Sequence, residues 1–219
     1  MSVSTENFIK SIYLLQSDYG LRASSSNLSK QLNISHAAVT DMSRKLATKG
    51  WIVYEKYKEI SLTQDGKKMA LSIIRRHRLW ELFLAQVLNI PLSKVHEEAE
   101  ILEHQTSDFL LDKIDQYLGN PNFDPHGDPI PGVNGKFPEN KNIGLEDTQK
   151  GMTYRITRLR HRNDGLIDFL IKNGIQLNEE IKIEDKFQDT DSLAISLKGK
   201  PILLNKEAIN SIYVQEINN

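Results

Sequence analysis

Apolar positions in the first ninety residues recur every three or four places in four stretches and alternate in two, and this spacing predicts the elements. Phe8, Ile12 and Leu15, flanked by Ile9 and Tyr13, mark an amphipathic helix over residues 5–16 that ends near Tyr19 and Gly20. Leu28 and Leu32 share one face of a short serine-initiated helix over residues 24–32, and Asn33, Ile34 and Ser35 form a tight turn. Ser35 is placed to cap a further helix over residues 36–48, with Val39, Met42 and Leu46 inward and Gly50 in the stop position. Two β-rich runs, 51–54 and 60–63, flank a charged turn. The order is helix, turn, helix and two-stranded wing.

A long helix over residues 63–88 follows, carried by Met69, Ile73, Ile74, Leu79, Leu82 and Phe83, and Pro91 opens the next segment. Ser93 caps a helix that runs to about residue 118, with Ala99, Leu102 and Phe109 on one face and Leu110, Leu111, Ile114 and Leu118 on another. A helix apolar on two flanks needs two partners, its own domain and a second protomer. Residues 119–148 hold five prolines and five glycines and form a linker. Beyond it, short β-like runs at 153–159, 180–183, 192–197 and 211–217, with a brief helix at 167–172, predict a small SH3-like barrel. The fold class is mainly α with a small β domain. Its expected parts are a winged helix-turn-helix domain (1–72), a helical dimerisation domain (73–119), the linker (120–148) and an SH3-like domain (149–219).

Composition narrows the classes. The chain has 219 residues and no cysteine, which excludes disulfide scaffolds, thiol enzymes and cysteine zinc fingers. No apolar run approaches the roughly 20 residues that a spanning helix needs, and residues 1–20 carry Glu6, Lys10 and Asp18, unlike a secretory signal. No membrane association and a cytoplasmic location are expected. The formal net charge of -1 hides a division: residues 1–78 hold 13 basic against 6 acidic groups, a net +7, and the remainder holds 15 against 23, a net -8. Such polarity suits a polyanion reader followed by an acidic part that holds cations.

A short helix, a tight turn and a second helix with outward polar groups is the geometry that seats one helix in the major groove of double-stranded DNA while a wing reaches the backbone. Ser35, Ala37, Ala38, Thr40, Asp41, Arg44 and Lys45 line the outward side of that helix. Small Ala37 and Ala38 permit close approach, and Thr40, Arg44 and Lys45 suit bases or phosphates, whereas Asp41 suits phosphate poorly. Arg22, Lys56 and Lys58 add phosphate contacts, which make binding strongly salt-dependent.

The segment His96-Glu97-Glu98-Ala99-Glu100-Ile101-Leu102-Glu103-His104 carries the chemistry. On one helix, His96, Glu100, Glu103 and His104 span an arc of about 100° and converge, and His77 with Glu81 form an i, i+4 pair on the preceding helix. Imidazole and carboxylate without thiolate suit Mn²⁺ or Fe²⁺, although the affinity order still favours Zn²⁺ in vitro. A solvated Glu-rich face, a metal-dependent hydrolase with a metal-bound water and a regulator answering to an organic effector stay open on these residues alone. No HExxH zincin signature is present.

Three motifs in order, Arg75-Arg76-His77-Arg78-Leu79-Trp80-Glu81, the Val95-His96 to Glu103-His104 run, and Pro125-His126-Gly127-Asp128-Pro129-Ile130-Pro131-Gly132, resemble the diphtheria-toxin repressor and manganese transport regulator family over nearly the whole chain. The resemblance implies a homodimeric, metal-activated transcriptional repressor, not an enzyme, that binds a palindromic operator and controls metal-ion uptake genes. It implies a primary site of Asn7, Glu100, Glu103 and His104, with Glu100 where the iron-sensing branch has cysteine; this points to Mn²⁺ first. Asn7 stands where manganese sensors have aspartate, and Lys10 where some have a glutamate that completes a two-metal cluster. It implies a second site drawn from His77, Glu81 and His96, or from Glu81, Asp124 and His126 with Asp164 or, less well, Asp168; Asp124 replaces a cysteine of relatives. Without metal these carboxylates would repel and leave the helices loosely related.

Overall fold

The computed structural model describes residues 2–160 and 164–217. The chain divides into two compact units: Met1–His77 with Glu100–Leu111 and Pro131–Lys136, and Arg78–Ala99 with Asp112–Ile130 and Phe137–Asn219.

The first unit begins with α1 (Val3–Ser17), α2 (Ser25–Leu32) and α3 (His36–Thr48), each started by a serine whose hydroxyl accepts from the backbone three residues on: Ser2 from Thr5, Ser24 from Asn27 and Ser35 from Ala38. Asn33 ends α2 in the left-handed region (φ 50°, ψ 46°), and this residue makes the expected tight turn. The wing is β1 (Ile52–Val53) paired antiparallel to β2 (Ser61–Leu62), with Ile52 opposite Leu62. Phe8, Ile9 and Ile12 of α1, Leu28 of α2, Val39 and Leu46 of α3, and Ile52 and Ile60 of the wing form one core with Ala70 and Ile74. α4 (Gln64–Gln86) starts where the Thr63 hydroxyl accepts from Gly66 N at 3.2 Å. A Cβ on Gly66 would lie 1.9 Å from the Trp51 carbonyl oxygen, so helix and wing meet through bare backbone. Gly66→Ala should therefore cost roughly 2–4 kcal/mol, read as a lower melting temperature together with lost DNA binding; a variant within 1 °C of the parent would show that the contact yields freely.

In place of one helix over residues 93–118, the structure has α5 (Leu92–Leu102) and α6 (Asp108–Tyr117). The break is local hydrogen-bond chemistry. The Thr106 hydroxyl donates to the Leu102 carbonyl at 2.6 Å, Gln105 N bonds the same oxygen at 3.2 Å, and Ser107 Oγ caps α6 by accepting from Leu110 N at 3.2 Å. Ile101 and Phe109 are left exposed, while Leu111 and Ile114 are buried.

The second unit carries a six-stranded antiparallel sheet in the order β3-β8-β4-β5-β6-β7, formed by β3 (Ile143–Gly144), β4 (Thr153–Leu159), β5 (Glu180–Phe187), β6 (Ser192–Leu197), β7 (Lys200–Leu204) and β8 (Ile212–Glu216). It is an open sheet and not the closed barrel expected: β3 and β7 are its two edges. Bulges at Ile156/Arg158 and Ile183/Asp185 coil it. α7 (Asp164–Lys172) and the short α8 (Lys206–Ile209) accompany it, and Ile156, Ile167, Leu170, Ile181, Ile195 and Val214 lie in its core. Among the described residues no helix is long and apolar enough to cross a membrane.

Candidate metal centre and DNA-reading surface

α1 brings polar and apolar groups to bear at once. Phe8, Ile9 and Ile12 sit in the core, yet Glu6 and Lys10 are also buried, at 8% and 6% exposure. A buried ion on a helix needs partners, and these come from His77 on α4 and from Glu100, Glu103 and His104 at the end of α5. Lys10 Nζ donates to Glu103 Oε1 and Oε2 at 3.0 and 2.9 Å and to Glu100 Oε1, and lies 3.2 Å from His77 Nδ1. His77 Nδ1 is 2.6 Å from Glu103 Oε2 and 3.7 Å from Glu100 Oε1, and ligand atoms of His77, Glu100 and Glu103 all lie within 4.8 Å of one another. Burial disfavours the ammonium of Lys10, but Glu103 and Glu100 outweigh it and hold the pKa above its ordinary value. The expected carboxylate repulsion is thus corrected: Lys10 bridges these groups.

Glu103 and His104 stand in the turn after α5, beyond the helix on which the arc placed them, and they converge through the break itself. His104 Nδ1 pairs with Glu6 Oε2 at 2.6 Å, which orients the ring so that Nε2 lies 3.4 Å from Glu103 Oε1. Nε2 of His104 and Oδ1 of Asn7 are buried with no hydrogen-bond partner among the described residues. A carboxylate holding one imidazole nitrogen while the other lies beside an acid is the arrangement a metal-ligating histidine uses. These residues fit a divalent ion. The motif reading missed Glu6, whose neighbour Asn7 it chose.

In the second unit, Glu81 is buried and its Oε1 lies 3.2 Å from His96 Nδ1. Asp124 is also buried, and its Oδ1 accepts from His126 N at 2.8 Å and Asp128 N at 2.9 Å, closing an Asx turn. The turn lies against β4: Gly127 has φ 84°, and a Cβ there would lie 2.1 Å from the Thr157 carbonyl oxygen. Arg78 Nη1 donates to the Pro129 carbonyl at 2.6 Å, and its guanidinium lies 3.8 Å from Asp124 and 3.7 Å from Asp128, which also pairs with Arg158. Burial, then the charges of Asp128 and Glu81, push the Asp124 carboxyl well above the ordinary range against the opposing pull of Arg78. Burial would raise Asp128 too, but Arg158 and Arg78 hold it low. His126, within this turn, is buried as well. The side chain of Asp164 lies outside the described residues, and Asp168 is exposed on α7.

On α3, Ser35, Ala37, Ala38, Asp41, Arg44 and Lys45 are exposed and Thr40 is half-buried, its hydroxyl donating to the His36 carbonyl at 3.0 Å. Asp41 holds Lys45 at 2.7 Å, a structural use for the acid that suits phosphate poorly. Arg22, Lys56 and Lys58 are exposed, with Lys58 2.5 Å from Glu55. Tyr57, absent from the expected contacts, sits at the wing tip at 92% exposure and φ 70°, with Lys56 Nζ 4.8 Å from its ring.

Comparison with known proteins agrees along the chain. Residues 1–60 match the N-terminal DNA binding domain of iron dependent repressors, residues 63–132 their metal binding and dimerisation domain, and residues 143–216 the FeoA domain. An HTH-type transcriptional regulator of Methanocaldococcus jannaschii is 35% identical over 118 residues, covering 54% of this chain and 94% of that protein. The diphtheria toxin repressor of Corynebacterium diphtheriae is 23% identical over 224 residues, covering 98% and 97%. A manganese-dependent transcriptional repressor solved in complex with manganese superposes with a TM-score of 0.91 at 30% identity, covering 97% of this chain and 100% of that one. The diphtheria toxin repressor and the manganese-dependent repressor are transcriptional repressors and not enzymes, and nothing among these relatives supports the hydrolase or the organic effector. The chain belongs to the family of metal-dependent transcriptional repressors that includes the diphtheria toxin repressor.

Proposed function

We propose that this repressor is a cytoplasmic homodimer activated by Mn²⁺, that it binds palindromic operators and that it controls metal-ion uptake genes. The observation that carries the metal reading is the buried pair of unpartnered atoms, His104 Nε2 and Asn7 Oδ1, with the His104 ring steered by Glu6 toward Glu103. Asn7, Glu100, Glu103 and His104 would hold the primary ion. Glu81, Asp124 and His126 would form the second site, with His96 held by Glu81 and with Asp164 as the acid from the last domain. His77, expected in the second set, also meets the first group, through its contact to Glu103. Both sets offer only oxygen and nitrogen, which favours Mn²⁺ or Fe²⁺ over softer ions and leaves Zn²⁺ as an in-vitro ligand. Metal-bearing relatives add weight: one solved structure is titled as manganese-bound and another, of ScaR, as zinc-bound.

The mechanism follows from α1. Its Phe8, Ile9 and Ile12 pack in one core with Leu28 of α2 and Val39 and Leu46 of α3, while its Glu6 and Lys10 grip Glu100, Glu103 and His104. Lys10 already holds Glu100 and Glu103 together; a bound divalent ion would neutralise the negative charge that Lys10 leaves on Glu6, Glu100 and Glu103 and would add Asn7 to the contacts. Asn7, Glu103 and His104 then tie α1 to the segment after α5, and α3 moves only as the core moves. In a dimer this fixes the spacing of two α3 helices at about one turn of DNA, roughly 34 Å. Ser35, Ala37, Ala38, Thr40 and Arg44 face the bases, and Arg22, Lys45, Lys56 and Lys58 face phosphates. Asp41 keeps Lys45 in place.

The test is His104→Ala. Its binding to a duplex enriched from random DNA with the wild-type chain should lose at least about tenfold in affinity under Mn²⁺, equal to roughly 1.4 kcal/mol of coupling, with an unchanged circular dichroism spectrum. Retained Mn²⁺-dependent binding would remove His104 from the site.

A further inference from the structure

Lys10 is the one basic side chain of α1, and it is aimed inward at the cluster just assigned to metal. Its ammonium is buried, bonds both oxygens of the fully buried Glu103 and one oxygen of Glu100, and lies 3.2 Å from His77 Nδ1. The same three residues are those whose ligand atoms gather within 4.8 Å. A primary ammonium on four methylenes is a compact point charge with three donors, and here it is surrounded by carboxylate oxygens as a cation would be.

We propose that Lys10 is a tethered cation that takes the place of one metal ion among His77, Glu100 and Glu103, so that the first unit takes one divalent ion per protomer. This rests on the metal reading above. The charges agree with it: Glu6, Glu100 and Glu103 give three negative groups and Lys10 one positive, a net -2 that a single divalent ion neutralises. A glutamate in place of Lys10 would make that -4, the charge of two such ions. Two ligand atoms of the primary set that Lys10 does not bond, His104 Nε2 and Asn7 Oδ1, are buried with no hydrogen-bond partner among the described residues. Lys10 thus does two things: it holds Glu100 and Glu103 together before any ion arrives, and it sets the number of ions that complete the site.

The experiment counts Mn²⁺ ions per protomer on the full chain by native mass spectrometry and equilibrium dialysis. Lys10→Glu should bind one more ion than the wild type, and adding His104→Ala to the wild type should remove one. Equal counts in the wild type and Lys10→Glu, with the His104-dependent ion present, overturn the tethered-cation proposal alone. If neither chain binds Mn²⁺, both the proposal and the metal reading fall. Lys10→Gln, which takes the cluster only to -3 and adds no further carboxylate, guards against misfolding of the glutamate variant. In chelator its melting temperature should drop by roughly 10 °C, as expected when a buried pair loses one partner, and its rise on adding Mn²⁺ should exceed that of the wild type. A Lys10→Gln chain that melts with the wild type in chelator and gains no more from Mn²⁺ overturns the proposal as well.

Discussion

Glu103→Gln, measured in chelator, should lower the stability of the first unit by about 3–5 kcal/mol, the range for breaking a buried ion pair on one side. Glu103 is 0% exposed, accepts from Lys10 through both oxygens and meets His77 at 2.6 Å. The glutamine is the same size, so no cavity opens; what changes is that Lys10 stays buried with only the partly exposed Glu100 opposite it. The ammonium must then lose its proton, drag water inward or pull α1 out of register, and each route costs free energy. Lys10→Met combined with Glu103→Gln removes both charges, and it should recover about 2 kcal/mol relative to the sum of the single losses. Thermal unfolding of the four chains in chelator closes that cycle. Strictly additive losses would mean that the two side chains do not depend on each other.

Asp124 should separate loop chemistry from metal chemistry. Asp124→Ala deletes the oxygen that accepts from His126 N and Asp128 N inside a buried turn, leaving two donors unmet, and should cost roughly 2–4 kcal/mol. Asp124→Asn keeps an acceptor in the same place and discards the charge. Burial, Asp128 and Glu81 together hold the folded-state pKa of Asp124 well above its ordinary value. Because an acid raised in this way is protonated more readily when folded, its ionisation takes stability away as the pH rises from the unfolded value through the folded one. Near neutral pH the asparagine variant should therefore sit within about 1 kcal/mol of the wild type or above it, by that linkage. Both variants should lose the part of the Mn²⁺-induced stabilisation that comes from the second site, since an amide oxygen donates more weakly than a carboxylate. Full Mn²⁺ stabilisation in Asp124→Asn would show the residue to be a turn former only.

The DNA-reading half was legible because its order is local. Serine caps, the three-to-four spacing of Phe8, Ile12, Val39 and Leu46, and the β-rich runs around Lys56 and Lys58 are short-range signals, and α1, α2, α3 and the wing follow them. A single helix over residues 93–118 is not formed: Leu102 and Phe109 stand seven apart and so keep helical phase across the polar stretch 103–108, but within it Thr106 and Ser107 end one helix and cap the next. That break moves Glu103 and His104 off the helical arc while leaving them in the cluster. The family motifs named the acids and histidines of both proposed sites but not their supports. Glu6 holds His104 across 98 positions of sequence and Lys10 meets Glu103 across 93, distances no periodicity reports. In the last domain a two-residue strand, β3, and the Pro201-bearing β7 carry too little alternation to be recognised, and only their pairing turns the expected barrel into an open sheet.

The central claim is that a divalent ion selects the DNA-competent form of this repressor. The measurement that tests it most directly is the affinity of the wild-type dimer for an enriched palindromic duplex, titrated with Mn²⁺, Fe²⁺ and Zn²⁺ against a chelator control at one fixed salt concentration. The account predicts tight, sequence-selective binding with Mn²⁺ and a return to weak, salt-sensitive binding in chelator. An affinity that metal leaves unchanged would contradict it.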